Sequence, residues 1–369
     1  MDFEPSDEQR LLADSARRWA DERCEFALWQ RERQAGRSLA DARWPEMAAL
    51  GWAALALPEA DGGFGGGPLE CGVVAQVLGA ALVAEPFLQN GVIAAALVRA
   101  LPASAARALL LQQLSGDGRR IALAHTEASM PDDEALAATR AARGAKGWQL
   151  DGHKTVVMGA AEAGLIVVSA MTDDGPALFA LPPDTPGLAL RRYATIDAQF
   201  AADLTLQSVP AAVTQHLGAA EAPLARAREA ALVAMGAEAI GLMERLLRET
   251  QDYTRTRQQF GQALSSFQVL RHRMVDMFMA LEAARSLVLL ATMRLAEGDA
   301  DAPRAISAMK VKIGRAGRFV SQQAVQLHGG MGMTDDLFIG HALKRLMAID
   351  ARLGNSDWHL QRMAAFAAA

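Results

Sequence analysis

What this chain has little of sets its first limits. Two cysteines, Cys24 and Cys71, stand in 369 residues, with no C-x-x-C and no Cys/His ligand spacing. A disulfide framework is excluded, and a reducing compartment is the simplest inference. None of the seven histidines forms the i, i+4 pair of a zinc helix, so no metal site is expected. Long apolar runs are also missing. The alanine-rich run from Gly91 is broken by Arg99 and Pro102, well short of the ~20 apolar residues that cross a bilayer. The first residues, MDFEPSDEQR, are acidic and lack the basic-then-apolar layout of a secretion signal. The expectation is a cytoplasmic protein with no membrane association. Positive charge is not in excess either: 37 Lys plus Arg face 42 Asp plus Glu, a net charge of -5. Nothing in that balance suggests nucleic acid as a partner.

What remains is ordinary for a soluble globular chain, with 51% hydrophobic and 21% charged residues. The length supports more than one domain. From Ser6 to about Leu114 the pattern is helical: Leu11, Leu12, Ala16 and Trp19 recur on one side, and Ser6 with Gln9 reads as a capping box. Further helices are expected over 44–50, 68–82, 88–100 and 105–114. The run Gly62-Gly63-Phe64-Gly65-Gly66-Gly67 has no following Gly-Lys-Ser/Thr and no clear preceding strand. It reads as a flexible turn between helices rather than a phosphate loop.

Near Arg119 the period becomes strand-like, with short β-type runs at 121–124, 148–150, 165–169, 177–181, 188–192 and 204–206. The Asp151-Gly152 pair is a hairpin signal. From Pro223 the helical pattern returns and continues to the end. Domains are therefore expected at 1–118 (helical), 119–217 (β) and 218–369 (helical), an α+β layout. The absence of strand–helix alternation argues against a doubly wound nicotinamide-binding sheet.

The stretch from Asp252 to Met277, DYTRTRQQFGQALSSFQVLRHRMVDM, concentrates the chemistry. Arg255, Arg257, two glutamines and Phe260 gather around a turn at Gly261. Arginine offers a donor fork for phosphate, and Phe260 a flat apolar face for a ring. Phosphate plus ring suggests a nucleotide. Phe267, Leu270, Met274 and Met277 then fall at helical spacing, with Ser265 or Ser266 as a plausible cap.

Arg257-Gln258-Gln259-Phe260-Gly261, with Phe267-Gln268 and Val275-Asp276-Met277 downstream, resembles the R-x-Q-F-G…F-Q…D-M signature of acyl-CoA dehydrogenases. Gln326 to Thr334, QLHGGMGMT, is similar to that family's Q-x-H-G-G-x-G-x-T. Ser265 to Gln268, Ala305-Ile306-Ser307-Ala308, and Gly340-His341 with Lys344-Arg345 and Ile349-Asp350 are similar to the small subunit of pimeloyl-CoA dehydrogenases. The resemblance spans essentially the whole chain. It implies a helical N-terminal domain, a small β-barrel-like middle domain and a C-terminal four-helix bundle. It also implies FAD as cofactor, an acyl-CoA substrate and an acceptor of the electron-transfer-flavoprotein type. Because the family shares FAD across chains, an oligomer follows, a dimer of dimers with copies of itself or with a paralogous subunit.

Residue by residue, the resemblance places FAD against Arg257, Phe260, Gln268, Gln326, Gly329 and Gly330, the glycines allowing close approach. Thr126, followed by Glu127, matches the threonine that bonds the flavin ring. Where the family usually has K-x-W-I-T/S, this chain has Lys154-Thr155-Val156-Val157-Met158, losing the Trp and the hydroxyl; Val157 and Met158 would serve the flavin through the backbone.

The implied reaction is α,β-dehydrogenation: a carboxylate removes the α-proton while the β-hydrogen leaves as hydride to the flavin. An α-proton that weakly acidic also needs donors at the thioester carbonyl. The usual Glu-Gly-Thr lands on Leu353-Gly354-Asn355, so the usual Glu is Leu353. A second location used by some members falls at Ala231. Glu238, two helical turns beyond and about 10 Å along, is the weak remaining candidate for the base, against a role as a helix-packing carboxylate. Glu229 points elsewhere. Leu353 keeps its backbone N–H for the thioester carbonyl. That fits heteromeric members, in which one subunit supplies the base. The chain is thus expected to be a small subunit of a heteromeric FAD-dependent acyl-CoA dehydrogenase, or else a catalytically inactive, flavin-binding or structural paralogue that completes an active partner.

Overall fold

The structure, a computed structural model, describes residues 4–83, 86–116, 119–128, 138–145 and 147–368. The chain divides into two compact units, one of Met1–Ala35, Pro68–Val83 and Leu232–Ala369, the other of Gly36–Gly67 and Ala84–Ala231. Among the described residues, no helix is long and apolar enough to cross a membrane.

The first unit is helical. It opens with α1 (Asp7–Arg23), whose Ser6 and Gln9 close the expected capping box, and α2 (Phe26–Gln34). The second unit contributes α3 (Ala40–Ala49) before the chain returns with α4 (Pro68–Ala80). Later the first unit takes most of α7 (Glu221–Thr256), then α8 (Gln268–Glu297), α9 (Ala302–His328), α10 (Phe338–Ala351) and α11 (Ser356–Ala368). Helices α4 and α7 cross with their backbones touching. A Cβ on Gly241 would sit 1.9 Å from Gln76 O, so that position admits only glycine. Beside the crossing, the Gln76 amide donates to Glu244 at 3.0 Å and Arg245 Nη1 donates to Ala80 O at 2.9 Å.

The second unit is built on a sheet. After α5 (Ala95–Ala100), preceded by a wider helical turn over Leu88–Ala94, and α6 (Ala105–Leu111), the chain enters β1 (Ile121–Ala124). There follow β2 (Arg140–Gly144), β3 (Gly147–Met158), β4 (Leu165–Thr172), β5 (Gly175–Leu181), β6 (Leu188–Ala194), β7 (Phe200–Ala211) and β8 (His216–Ala219). The sheet runs β6-β7-β3-β2-β4-β5-β8, with β1 parallel to β4. Leu150, Ile166, Val168, Phe179, Leu181 and Leu204 fill its core. Asn90, fully buried, joins helix to sheet by accepting the Ile121 N–H at 2.6 Å. The glycine run at 62–67 is not slack: the Gly63, Gly65 and Gly66 N–H groups donate to Pro58, Leu57 and Leu55 carbonyls.

Three local expectations are corrected. Asp151-Gly152 does not turn a hairpin; it lies inside β3 at a register shift against β7, where the Asp151 carboxylate accepts the Ser208 N–H at 2.7 Å. Strands β3 and β7 are each far longer than the short runs expected. Neither Ser265 nor Ser266 caps α8; the cap position is Phe267, and Ser266 Oγ donates instead to Ala263 O at 2.7 Å.

Candidate functional site

The first set of candidate residues lies where α7 and α8 meet at a corner. Tyr253, in the last turn of α7, stacks on His328 at the end of α9 with ring centroids 4.3 Å apart. Its hydroxyl lies 3.4 Å from His328 O. The end of α7 is thereby brought to the Gly329-Gly330 turn. Arg273 on α8 reaches Gln323 on α9 at 3.4 Å, which ties the first turns of α8, where Gln268 stands, to the last turns of α9, where Gln326 stands. Burial holds the His328 imidazole below its ordinary value, against a smaller upward pull from the Ala324 carbonyl. A neutral ring with Nδ1 donating to Ala324 O, 2.8 Å away, is the consistent state, which makes His328 a packing group.

Beyond Thr256 the chain makes a small hairpin, β9 (Gln258–Gln259) paired with β10 (Gln262–Ala263). Its two central residues, Phe260 and Gly261, both have positive φ, 55° and 78°, as a two-residue type I′ turn requires. A phenylalanine in that conformation is strained by about 1–3 kcal/mol. Burial does not offset this strain: Phe260 is 90% exposed and meets Phe267 only edge-on, at 6.2 Å. The two arginines here differ. Arg255 is tied to Asp252 at 3.4 Å on its own helix, whereas Arg257 is exposed with no side-chain partner among the described residues. Gln268 and Gln326 are exposed as well, and among the described residues a Cβ on Gly329 or Gly330 would meet nothing within 4 Å. Guanidinium, ring and the Gln268 amide thus lie at the α7–α8 corner, and the Tyr253–His328 stack ties that corner to the end of α9 that carries Gln326 and the open glycine backbone; these are groups of the kind a dinucleotide takes.

The second set lies in the sheet unit. Thr126 follows β1, and its carbonyl accepts the Thr155 N–H at 2.9 Å, placing it beside β3. Next to it, Glu127 and Lys154 form a buried ion pair with Nζ to Oε1 at 2.6 Å. Lys154 Nζ also donates to Ser169 Oγ at 3.1 Å and His125 O at 3.2 Å. Glu127 further accepts from the Ala138 and Thr139 N–H groups and the Thr139 hydroxyl. Burial pushes the Glu127 carboxyl up, but Lys154 and Thr139 together hold it below 4.5. Burial lowers the Lys154 ammonium, with Glu127 opposing. Val157 is buried and Met158 half-buried, both paired with β7. Val156, just before them, sits in a bulge with φ 53° and is 48% exposed.

Comparison with known proteins matches the acyl-CoA dehydrogenase N-terminal domain to residues 6–117, the middle domain to 122–209 and the C-terminal domain to 218–368. The chain belongs to the acyl-CoA dehydrogenase family. It is 27% identical over 328 residues to the acyl-CoA dehydrogenase FadE27 of Mycobacterium tuberculosis, covering 87% of this chain and 86% of that protein. Among solved structures, the ChsE4-ChsE5 complex from Mycobacterium tuberculosis is similar at 26% identity and a TM-score of 0.90, over 100% of this chain and 99% of that one. A variant of the Tcur3481-Tcur3483 steroid ACAD is similar at 30% identity and a TM-score of 0.86, covering 98% of each chain.

In this member of the family the two positions considered for a base carry none. Ala231 is fully buried. Leu353 holds a left-handed backbone, φ 56°, followed by Gly354 at 87°. That turn is clamped from behind: His359 Nε2 pairs with Leu353 O at 3.0 Å, and buried Lys310 donates to Gly354 O at 2.7 Å and Asp350 O at 2.8 Å. Glu238 is committed elsewhere, both its oxygens engaged by Arg345 at 2.5 and 2.8 Å. Sequence reasoning had not found Lys310, His359 or the Glu238 partner. Lys310 alone left a trace, as a charge on the apolar face that Ile306, Met309 and Ile313 define on α9.

Proposed function

We propose that this chain is an FAD-dependent subunit of a heteromeric acyl-CoA dehydrogenase, located in the cytoplasm, and that a paralogous partner supplies the catalytic carboxylate. The observation that carries the reading is the Leu353-Gly354 turn, which keeps a strained left-handed backbone and its clamp but holds a leucine where the usual base belongs. The ChsE4-ChsE5 and Tcur3481-Tcur3483 relatives, each named as a pair of proteins, support a two-subunit assembly.

Bound FAD would supply the hydride acceptor, passing electrons on to a protein of the electron-transfer-flavoprotein type. Arg257 would take the pyrophosphate by its fork, and Phe260 would offer its exposed ring to the adenine. Gln268, Gln326, Gly329 and Gly330 would complete the dinucleotide contacts. Thr126, Val157 and Met158 would face the flavin ring. The Leu353 N–H would donate to the thioester carbonyl of an acyl-CoA. Glu238 is the weakest candidate in this set, because Arg345 already occupies its carboxylate.

A second reading, in which the chain binds flavin only to complete an active partner, is favoured by the same leucine. Flavin absorbance of the purified chain, and anaerobic reduction of that flavin by acyl-CoA with and without a paralogue bearing Glu at this turn, test both. Reduction only in the mixed assembly supports the proposal. A chain that never takes up flavin refutes both readings.

A further inference from the structure

On the β3–β7 ladder, Lys154 pairs with Leu204 and Val157 with Ala202, so β3 carries one residue more than β7 between the two pairs. The surplus is absorbed at Val156, a β-branched residue with φ 53°, a conformation such side chains rarely hold without an external tie. The tie lies directly opposite. Asp203 Oδ1 accepts the Val156 N–H at 3.2 Å and the Tyr193 hydroxyl at 3.0 Å, while Oδ2 takes Arg191 at 2.7 Å. A pocket of about 420 Å³ opens there, lined by His153, Thr155, Ala189, Arg191, Asp203 and Thr205 among others. On the N-terminal side of the bulge, the Thr155 N–H is held by Thr126 O and Lys154 by Glu127.

The same ladder carries a second bulge that serves as an internal comparison. Between Leu150–Val209 and Gly152–Leu206 the surplus residue is on β7; Ser208 has φ 53°, and its N–H is held by Asp151 at 2.7 Å. Among the described residues no other side chain braces Asp151, whereas Asp203 is braced by two, Arg191 and Tyr193. The bracing leaves Asp203 ionised: burial raises its carboxyl, but Arg191, the Val156 N–H and Tyr193 together bring it below 3.8. One carboxylate closes a bulge in the middle of the ladder; the other is reinforced where the chain leads into Val157 and Met158.

We propose that Asp203 is a positioning residue for the Val156–Met158 segment, holding through the Val156 N–H the bulge that sets how this segment meets the flavin. This rests on the reading above that Val157 and Met158 face the ring. The carboxylate touches no reacting atom; it acts through the backbone it holds.

The test compares Asp203→Ala, Asp203→Asn and Asp151→Ala in the full chain by two measurements, amide hydrogen exchange and FAD affinity with the visible flavin spectrum. Asp203→Ala should speed exchange at Val156, weaken FAD roughly tenfold, the loss of one charge-assisted bond, and shift the flavin band. Asp203→Asn, which keeps an acceptor oxygen, should restore most of the affinity. Asp151→Ala should speed exchange at Ser208 and lower thermal stability while FAD affinity stays within about twofold of wild type, since that bulge is remote from the segment along the ladder. Should Asp203→Ala not fold, the Arg191→Ala/Tyr193→Phe pair, which frees the carboxylate without removing it, decides: weaker FAD supports the inference and unchanged FAD overturns it. A wild-type chain that takes up no FAD sinks the proposed function and this inference together. A wild type that binds FAD beside an Asp203→Ala chain of equal affinity and spectrum sinks this inference alone.

Discussion

Glu238 on α7 and Arg345 on α10 meet fork to fork, Oε1 to Nε at 2.5 Å and Oε2 to Nη2 at 2.8 Å, with only 12% and 5% of their side chains exposed. Removing one partner strands the other charge, so Glu238→Ala should cost about 3 kcal/mol of unfolding free energy. Replacing both by apolar residues, as in Glu238→Leu/Arg345→Met, should recover most of that loss. Urea denaturation of the single and double variants checks this. A base would behave differently: Glu238→Gln would then abolish flavin reduction at unchanged stability. In the assembly with a paralogue bearing the base, we expect reduction per bound flavin to stay within about twofold of wild type, because a carboxylate used in both oxygens by Arg345 is a poor acceptor for a substrate proton.

Phe260 separates stability from function at a single position. Its left-handed backbone costs about 1–3 kcal/mol, and its exposed ring recovers little through Phe267. Phe260→Gly should therefore leave stability unchanged or raise it by up to about 1 kcal/mol, after allowing for the greater freedom of the unfolded chain. FAD occupancy should nonetheless fall. Arg257→Ala should lower occupancy too, roughly tenfold in affinity, with the fold intact. Calorimetry and flavin content on the same preparations check both variants; undiminished flavin in either removes that residue from the site.

The Glu127–Lys154 pair gives a pH dependence with a defined sign. The folded Glu127 carboxyl lies below its ordinary 4.5. Its contribution is complete above the unfolded value and is lost as pH falls through the folded value, because the unfolded state then binds the proton more readily. Wild-type stability should thus decline in acid, and Glu127→Gln should flatten that decline while costing about 2 kcal/mol at neutral pH, where buried Lys154 loses its counter-charge. Equilibrium unfolding across the acid range measures both. Parallel curves for the two chains would remove Glu127 from the acid transition.

Much of this fold was readable because the local rules act alone: the Ser6–Gln9 box starts α1, and the apolar spacing beyond Pro223 yields the long helices. The sheet was legible only in fragments, for a physical reason. A bulge adds one residue and inverts the inward-outward alternation beyond it. In β3 the buried positions run Leu150, Lys154, Val157, a spacing that matches no single period, so only residues 148–150 read as strand. A second bulge, with its extra residue at Ser208 on β7, turned Asp151-Gly152 from a hairpin signal into a mid-strand tie. Corner residues such as Arg257 and Phe260 were legible because a short ordered motif carries them. The Asp203–Val156 tie, the Glu238–Arg345 pairing and the Lys310 clamp on Gly354 were not, since their partners lie 47, 107 and 44 residues apart in the chain; His359 is six residues from Leu353, but no motif carries it.

The Leu353 turn offers the most direct test of the missing base. His359 and Lys310 hold the carbonyls of Leu353, Gly354 and Asp350, so the left-handed backbone is fixed by groups other than the residue 353 side chain. Leu353→Glu should therefore fold as the parent does. Residue 353 is half-buried, so the new carboxylate would keep some contact with water and stay charged near neutral pH. General-base catalysis typically contributes ~10²–10⁴-fold. The unaltered chain, purified without a paralogue, should reduce its flavin with acyl-CoA slowly or not at all, and Leu353→Glu should recover part of that factor. Anaerobic bleaching of the flavin band across a panel of acyl-CoAs measures both. Rapid bleaching by the unaltered chain alone would mean that a base is already present, and would return Glu238, released from Arg345, to the centre of the search.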